Sequence, residues 1–509
     1  MKHSKVHWES AHRAWRVTLG SLVIVGALTA LLAWDPASTR SQADEEASLL
    51  VYCAAGIKAP VEQVAREYEQ QYGVAIQLQY GGSGTLLSNL RVAQTGDLYI
   101  AADSSYIEIA RINQLVKEAI SLARIRPVLG IRQGNPHNIR TIDDLLRDEV
   151  TFALCNPDAT SIGKLSRDLL ERSGQWSALA KRAKVFKPTV NEVANDVKLG
   201  TVDAAIVWDA TVALYPELQA VYVPSFDRAV QEVTLGVLTS CRQPRAALHF
   251  ARYLAARDRG LPAFAATGYR PVEGDVWAEQ PELTLFSGGV NRLAIEETLK
   301  QFERREGARV NVVYNGCGIL VGMMKSGQRP DAYFACDRSF TTEVADLFLD
   351  PHVISETAIV LLMPKENPQN IHSLADLAQP GLKLGVANEK QSALGALTQR
   401  LLAEAGVKKQ VEANIRSRTP TADLLVNQMR TGSLDAVVVY EANTMHVRDD
   451  LEIVPIEHPH AKAVQPLVIG RNSQHKHLVG RLLAAITSDA SQAKFESTGF
   501  RWRNERDPR

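Results

Sequence analysis

The stretch YGGSGTLLSNL at Tyr80–Leu90 returns, altered but recognisable, as YNGCGILVGMM at Tyr314–Met324. Displacing the chain against itself by 234 positions pairs Glu62 with Glu296, Gly73 with Gly307, Gly82 with Gly316, Gly84 with Gly318, Asp97 with Asp331 and Asp103 with Asp337, without a gap. A displacement of 232 then pairs Asn156 with Asn388, Gly163 with Gly395 and Asp203 with Asp435, and one of 231 pairs Phe264 with Phe495. Solenoid units run to about 20–50 residues, so a period this long marks duplication of a whole domain. The chain is therefore read as two modules, 49–272 and 283–503, joined by the acidic linker EGDVWAEQPE at 273–282.

A hydrophobic content of 45% with 22% charge is that of a globular protein with large cores. Lys plus Arg equals Asp plus Glu at 57 each, which removes the electrostatic case for nucleic-acid binding and requires any anion site to be built locally. Charge is uneven only at the N-terminus. There a basic segment, 1–16, precedes the charge-free stretch 17–34, which reads as either an export signal or a retained membrane anchor, followed by a polar tether at 35–48. Basic residues before the apolar segment place both modules outside the cytoplasm, in the periplasm or an equivalent space, held at the inner membrane if the segment is uncleaved. Five cysteines are too few and too scattered for a disulfide scaffold, although an oxidising compartment permits one bridge.

Within each module short apolar runs alternate with segments of helical spacing: LLVYCA, then Pro60 to Tyr72, then AIQLQY, GTLLSNLRVAQ and DLYIAAD. That alternation predicts a parallel sheet covered on both faces, and its recurrence in the middle of the module predicts a second α/β lobe, with a hinge near 124–127 and 210–225. Ligands of such sheets settle at helix N-termini, whose free N–H groups accept an anion without any basic side chain. The GGSG turn fits this use, its glycines allowing close backbone approach and Ser83 adding a hydroxyl; CAAG, NPDATSIG and PTVNE supply further junctions of the same kind. No Ser/His/Asp order, paired carboxylates or phosphate loop occurs in a context that supports catalysis, and no enzyme activity, cofactor or metal is expected. The HPH and HKH tracts at His458–His460 and His475–His477 read as solvated loops, and Asp209 and Glu441 as helix caps. Cys317 and Cys336 fall near strand ends, where small buried side chains, a disulfide and a thiolate site remain alternatives.

Taken in order, the first turn, GGSGTL, GDLYIAAD, NPDATSIG and LGTVDAAIVW resemble the molybdate-binding family of periplasmic substrate-binding proteins, and the likeness covers both repeats. The resemblance implies an α/β fold of two tandem type II periplasmic binding protein modules, each of two Rossmann-like lobes with a ligand cleft between them. It implies an oxyanion, molybdate or tungstate, held by hydroxyls and backbone N–H groups and passed to an ABC permease. In the first module the matching positions are Gly56, which replaces a serine, Ser83, Ile162, Val190, and Trp208, which replaces a tyrosine. In the second they are Val290, Cys317, which replaces a serine, Leu394, Ala422 and Tyr440. Neither module carries the full hydroxyl set, so sulfate or phosphate as ligand, and a membrane-tethered sensor or scaffold with degenerate sites, stand as alternatives.

Overall fold

The computed structural model describes residues 48–506. The expected apolar segment at 17–34, and all of the tether except Ser48, lie outside the described residues. In the first module the strands are β1 (Ser48–Ala54), β2 (Ala75–Gly81), β3 (Leu98–Ala101), β4 (Val116–Ile125), β5 (Pro127–Arg132), β6 (Phe152–Cys155), β7 (Val185–Lys187), β8 (Ala204–Trp208), β9 (Leu218–Val221) and β10 (Gln231–Leu238). Helices α1 (Lys58–Tyr72), α2 (Ser83–Ala93) and α3 (Ser104–Ile112) follow β1, β2 and β3, while α4 (Ser161–Arg172) follows β6 and α5 (Val190–Lys198) follows β7. The first lobe has the order β4-β10-β3-β1-β2, with Arg270–Pro271 on the β4 edge, and the second β7-β6-β8-β5-β9.

Only the cores of these sheets are parallel: β4 and β10 run antiparallel to each other, as do β5 and β8. The parallel sheet expected from the alternation forms the core of each lobe, and the strands on either side of the crossings, β4 and β10 in one lobe and β5 in the other, add antiparallel pairs to it. The first crossing is Arg126, one residue between β4 and β5; the second is the segment 222–230 between β9 and β10. The helical turn Asp209–Ala213 and β9, inside the expected hinge at 210–225, belong to the second lobe.

Helix starts are where the sequence places them. Asp103 caps α3 through Ser105 N, Thr160 caps α4 through Gly163 N, and Thr189 caps α5 through Glu192 N, each side chain satisfying an N–H that has no intrahelical acceptor. Helix α1 stops at Gly73, whose φ of 69° is the left-handed turn that glycine adopts without strain.

The second module repeats this plan with one difference. Its strand His352–Pro364 is continuous where the first module breaks at Arg126, pairing with Lys462–Ile469 in one lobe and with Ala436–Tyr440 in the other, so both lobes share one ten-stranded sheet.

Of the expected linker 273–282, Glu282 begins a strand of the second module and the residues before it are packed between the modules. Asp275 accepts from the N–H groups of His477 and Leu478 at 2.9 Å each, capping the helix Lys476–Ile486 of the second module. Trp277 stacks edge-on against Tyr72, His249 and Tyr253 of the first. Beside it the buried carboxylate of Glu306 is gripped by Arg252 of the first module at 3.2 Å and Arg481 of the second at 2.6 Å.

Candidate functional site

In the first module Gly56, Ser83, Ile162, Val190 and Trp208 converge on one pocket between the lobes, together with Ala102, Thr160, Ser161 and Thr189; it holds ≈ 260 Å³ counting its open mouth. Helices α2, α4 and α5 all begin at its wall, so N–H groups from both lobes face the same space. No Lys, Arg, Asp or Glu lines it. Ser83 Oγ accepts from Ala102 N at 3.3 Å, which leaves its own proton to donate. Ser161 Oγ is buried with no hydrogen-bond partner, an orphan of the kind folded proteins seldom keep without a reason. Ser161 was missed in the sequence because its neighbour Ile162 was read for its backbone alone; the signal available was a hydroxyl immediately after the Thr160 cap.

Space explains the glycine at 56. A Cβ there would meet Val190 Cγ1 at 2.8 Å and Trp208 Cδ1 at 3.7 Å, so these two side chains fill the room a serine would need. The Tyr269 hydroxyl donates to the Gly56 carbonyl and holds this turn from behind.

The GGSG glycines serve a purpose other than the one expected. Gly84 N and Thr85 N donate to Ala159 O of the opposite lobe at 2.9 and 3.2 Å. A Cβ on Gly82 would lie 2.2 Å from Ala159 O, and one on Gly84 2.5 Å from Asp158 O. Gly82 and Gly84 admit the other lobe, and two first-turn donors of α2, Gly84 N and Thr85 N, go to closure. Asn191 Nδ2 adds a bond to Ala55 O at 3.1 Å across the same gap. The module is closed.

The second module closes the same way, Gly318 N donating to Gln391 O at 3.0 Å, but its interior is different. Val290, Cys317, Leu394, Ala422 and Tyr440 are all buried in one apolar core. The hydroxyls of Tyr333 and Tyr440 are buried without a partner. Burial pushes both phenols well above their ordinary range. Asp423 stands where the first module has Asn191, within 3.7 Å of the position a Cβ on Gly289 would take, and accepts from Asn443 at 2.7 Å. Burial raises its carboxyl above the ordinary value against the lowering effect of Asn443, His446 and Arg292. The second module thus presents a carboxylate where the first presents an amide.

Two side expectations are corrected in detail. Asp209 Oδ1 accepts from Ala210 N and also from Arg126 N at 3.1 Å, and its Oδ2 lies 3.6 Å from both Arg126 Nε and Arg270 of the first lobe; it ties the crossing rather than simply capping a helix. His458 and His460 are not merely solvated: Glu404 Oε2 lies 3.6 and 2.9 Å from their rings. The Arg400 guanidinium lies 3.3 Å from His460 Nδ1, so a cation already occupies this cluster.

Two lobes shut over a pocket of helix N-termini define a binding protein of the two-lobed cleft class. The chain belongs to the family described as bacterial extracellular solute-binding protein, whose profile matches residues 49–270 and again 283–501. Among curated relatives, the molybdate-binding protein ModA of Mycobacterium bovis is 24% identical over 243 residues, 47% of this chain and 91% of that protein. Among solved structures, the periplasmic molybdate-binding protein of Azotobacter vinelandii is 16% identical, covers 43% of this chain and 98% of its own, and has a TM-score of 0.39. The sulfate-binding protein SubI of Mycobacterium tuberculosis is also 16% identical, covers 44% and 87%, and has a TM-score of 0.38.

Proposed function

We propose that the first module captures a small tetrahedral oxyanion, molybdate or tungstate, outside the cytoplasm and delivers it to an ABC permease, without chemistry on the ligand. The observation that carries this reading is the orphaned Ser161 hydroxyl, buried beside Ser83 in a pocket of helix N-termini that contains no charged side chain. Such a pocket holds a divalent anion through neutral donors, each charge-assisted bond contributing about 1.5–3 kcal/mol. Closure brings donors of both lobes onto one guest, and the closed form is what a permease can distinguish from the open one. The second module, with Cys317 for a serine and the Asp423 carboxylate beside Gly289, favours a degenerate, non-transporting role for that half. The whole protein would then be an importer component with one working cleft.

Titration calorimetry of the intact chain with molybdate, tungstate, sulfate and phosphate tests this. One site per chain is expected, with molybdate and tungstate bound most tightly, and Ser161→Ala weakening them by about 10- to 100-fold. Tighter binding of sulfate or phosphate would reassign the ligand, and unaltered affinity in Ser161→Ala would remove the hydroxyl from the site.

A further inference from the structure

Three aligned positions differ together between the modules. Where the first has Ala54, Ser83 and Ala102, the second has Gly288, Cys317 and Cys336. A Cβ on Gly288 would lie 2.1 Å from Cys336 Sγ and 3.3 Å from Cys317 Sγ, so the two sulfurs crowd the point that a methyl group fills in the other module. One methyl is lost, one hydroxyl oxygen is exchanged for sulfur, and a second sulfur is added.

The surroundings are polar where simple packing would leave them apolar. Cys336 N donates to Cys317 Sγ at 3.0 Å. Cys317 is the first residue of the helix Cys317–Lys325, whose N-terminus favours a thiolate, and the unpartnered Tyr333 and Tyr440 hydroxyls lie in the same buried cluster. Burial raises the Cys317 thiol, but the thiol and the backbone N–H of Cys336 outweigh it and hold the thiol below its ordinary value. Cys336, facing that sulfur, is pushed far the other way. All the cysteines of the described residues are free thiols.

We propose that Cys317 and Cys336 form a reversible dithiol–disulfide pair on the floor of the second cleft, oxidised by exchange with the disulfide of a small thiol. Cys317, as thiolate after loss of its proton, attacks one sulfur of RS–SR; that S–S bond breaks and RS⁻ leaves. Cys336 then loses its proton, and its sulfur attacks Cys317 Sγ, expelling the second RS⁻. Two protein S–H bonds give one S–S bond, the two released protons go to the leaving thiolates, and RS–SR is reduced to two RSH. Both sulfurs are buried, and the glycines flanking Cys317 are covered by the carbonyls of Lys390, Gln391 and Pro420, so the exchange proceeds through the opened module.

The full chain incubated with oxidised glutathione, then acid-quenched, denatured, alkylated with iodoacetamide and weighed, tests the pair. The untreated protein, with five cysteines, takes up five labels. The treated protein is expected to take two fewer and to yield a Cys317–Cys336 linked peptide, and Cys317→Ser, checked for folding by its melting transition, to lose that link. Cys336→Ser is expected to retain one glutathione on Cys317. Full labelling of the treated protein overturns the proposal, as does a protected pair that survives in Cys317→Ser.

Discussion

At Gly84 a single hydrogen atom in place of a methyl decides whether the first module shuts, since a Cβ there would press to 2.5 Å on the Asp158 carbonyl. The position lies in the first turn of α2, where alanine is the better helix former by about 1 kcal/mol. Gly84→Ala should therefore leave the open lobe as stable or more so, yet weaken oxyanion binding by about 10-fold or more, because overpacking at the closed gap costs about 1–3 kcal/mol. Small-angle scattering with and without molybdate would show the loss of closure directly. Asp423 gives a prediction of opposite sign. Its folded-state carboxyl is raised above the unfolded value, so it favours folding only when protonated and works against it once pH rises through the folded value. Asp423→Asn, which restores the residue the first module has as Asn191, should raise the melting temperature at pH 7 by no more than about 1 °C, because solvent screens this exposed side chain. The gain should vanish as pH falls below 3.8, the ordinary carboxyl value. A thermal scan at the two pH values checks both halves. The junctions that bring Gly56, Ser83, Ile162, Val190 and Trp208 to one pocket were legible at this scale, because each stands where a short apolar run meets a helical segment. The use of Gly82 and Gly84 was not, since a glycine has the same letter whether it admits a ligand or another lobe.

Among the elements, the strand that links the lobes separates the two halves of the molecule. Arg126 interrupts the ladder in the first module, with Asp209 gripping its N–H and guanidinium, whereas His352–Pro364 runs through without a break and is paired on either side of Ala358. A ladder interrupted at one residue opens locally at lower free energy than a continuous one. Hydrogen exchange should show the amides flanking Arg126 exchanging faster than those of Thr357 to Ile359, and molybdate should slow only the former group. Equal protection in both segments would refute the difference. Alternation of apolar runs disclosed the α/β lobes and the junctions NPDATSIG and PTVNE at which helices begin, because periodicity is local. The antiparallel crossings and the true second crossing at 222–230 escaped, because strand direction depends on where the chain must return, which no local pattern records.

For the molecule as a whole, Glu306 is the joint. Burial by itself pushes its carboxyl upward, but Arg481 and Arg252 outweigh that and hold it below its ordinary value. Its contribution is thus present above pH 4.5 and is lost as pH falls through the lower folded value. Glu306→Gln leaves two buried guanidiniums without a counter-charge and should destabilise the intact chain by about 3–5 kcal/mol, read as a lower midpoint in denaturant. The acidic composition of 273–282 suggested a solvated linker; what it could not disclose is that Asp275 caps a helix of the second module and Trp277 stacks on rings of the first. Clamped at Glu306 and pinned by Trp277, the two clefts keep one mutual heading. Any receptor that grips the rims of the first module will find the second at a set distance and angle, a rigid outrigger whose reach the joint fixes in advance.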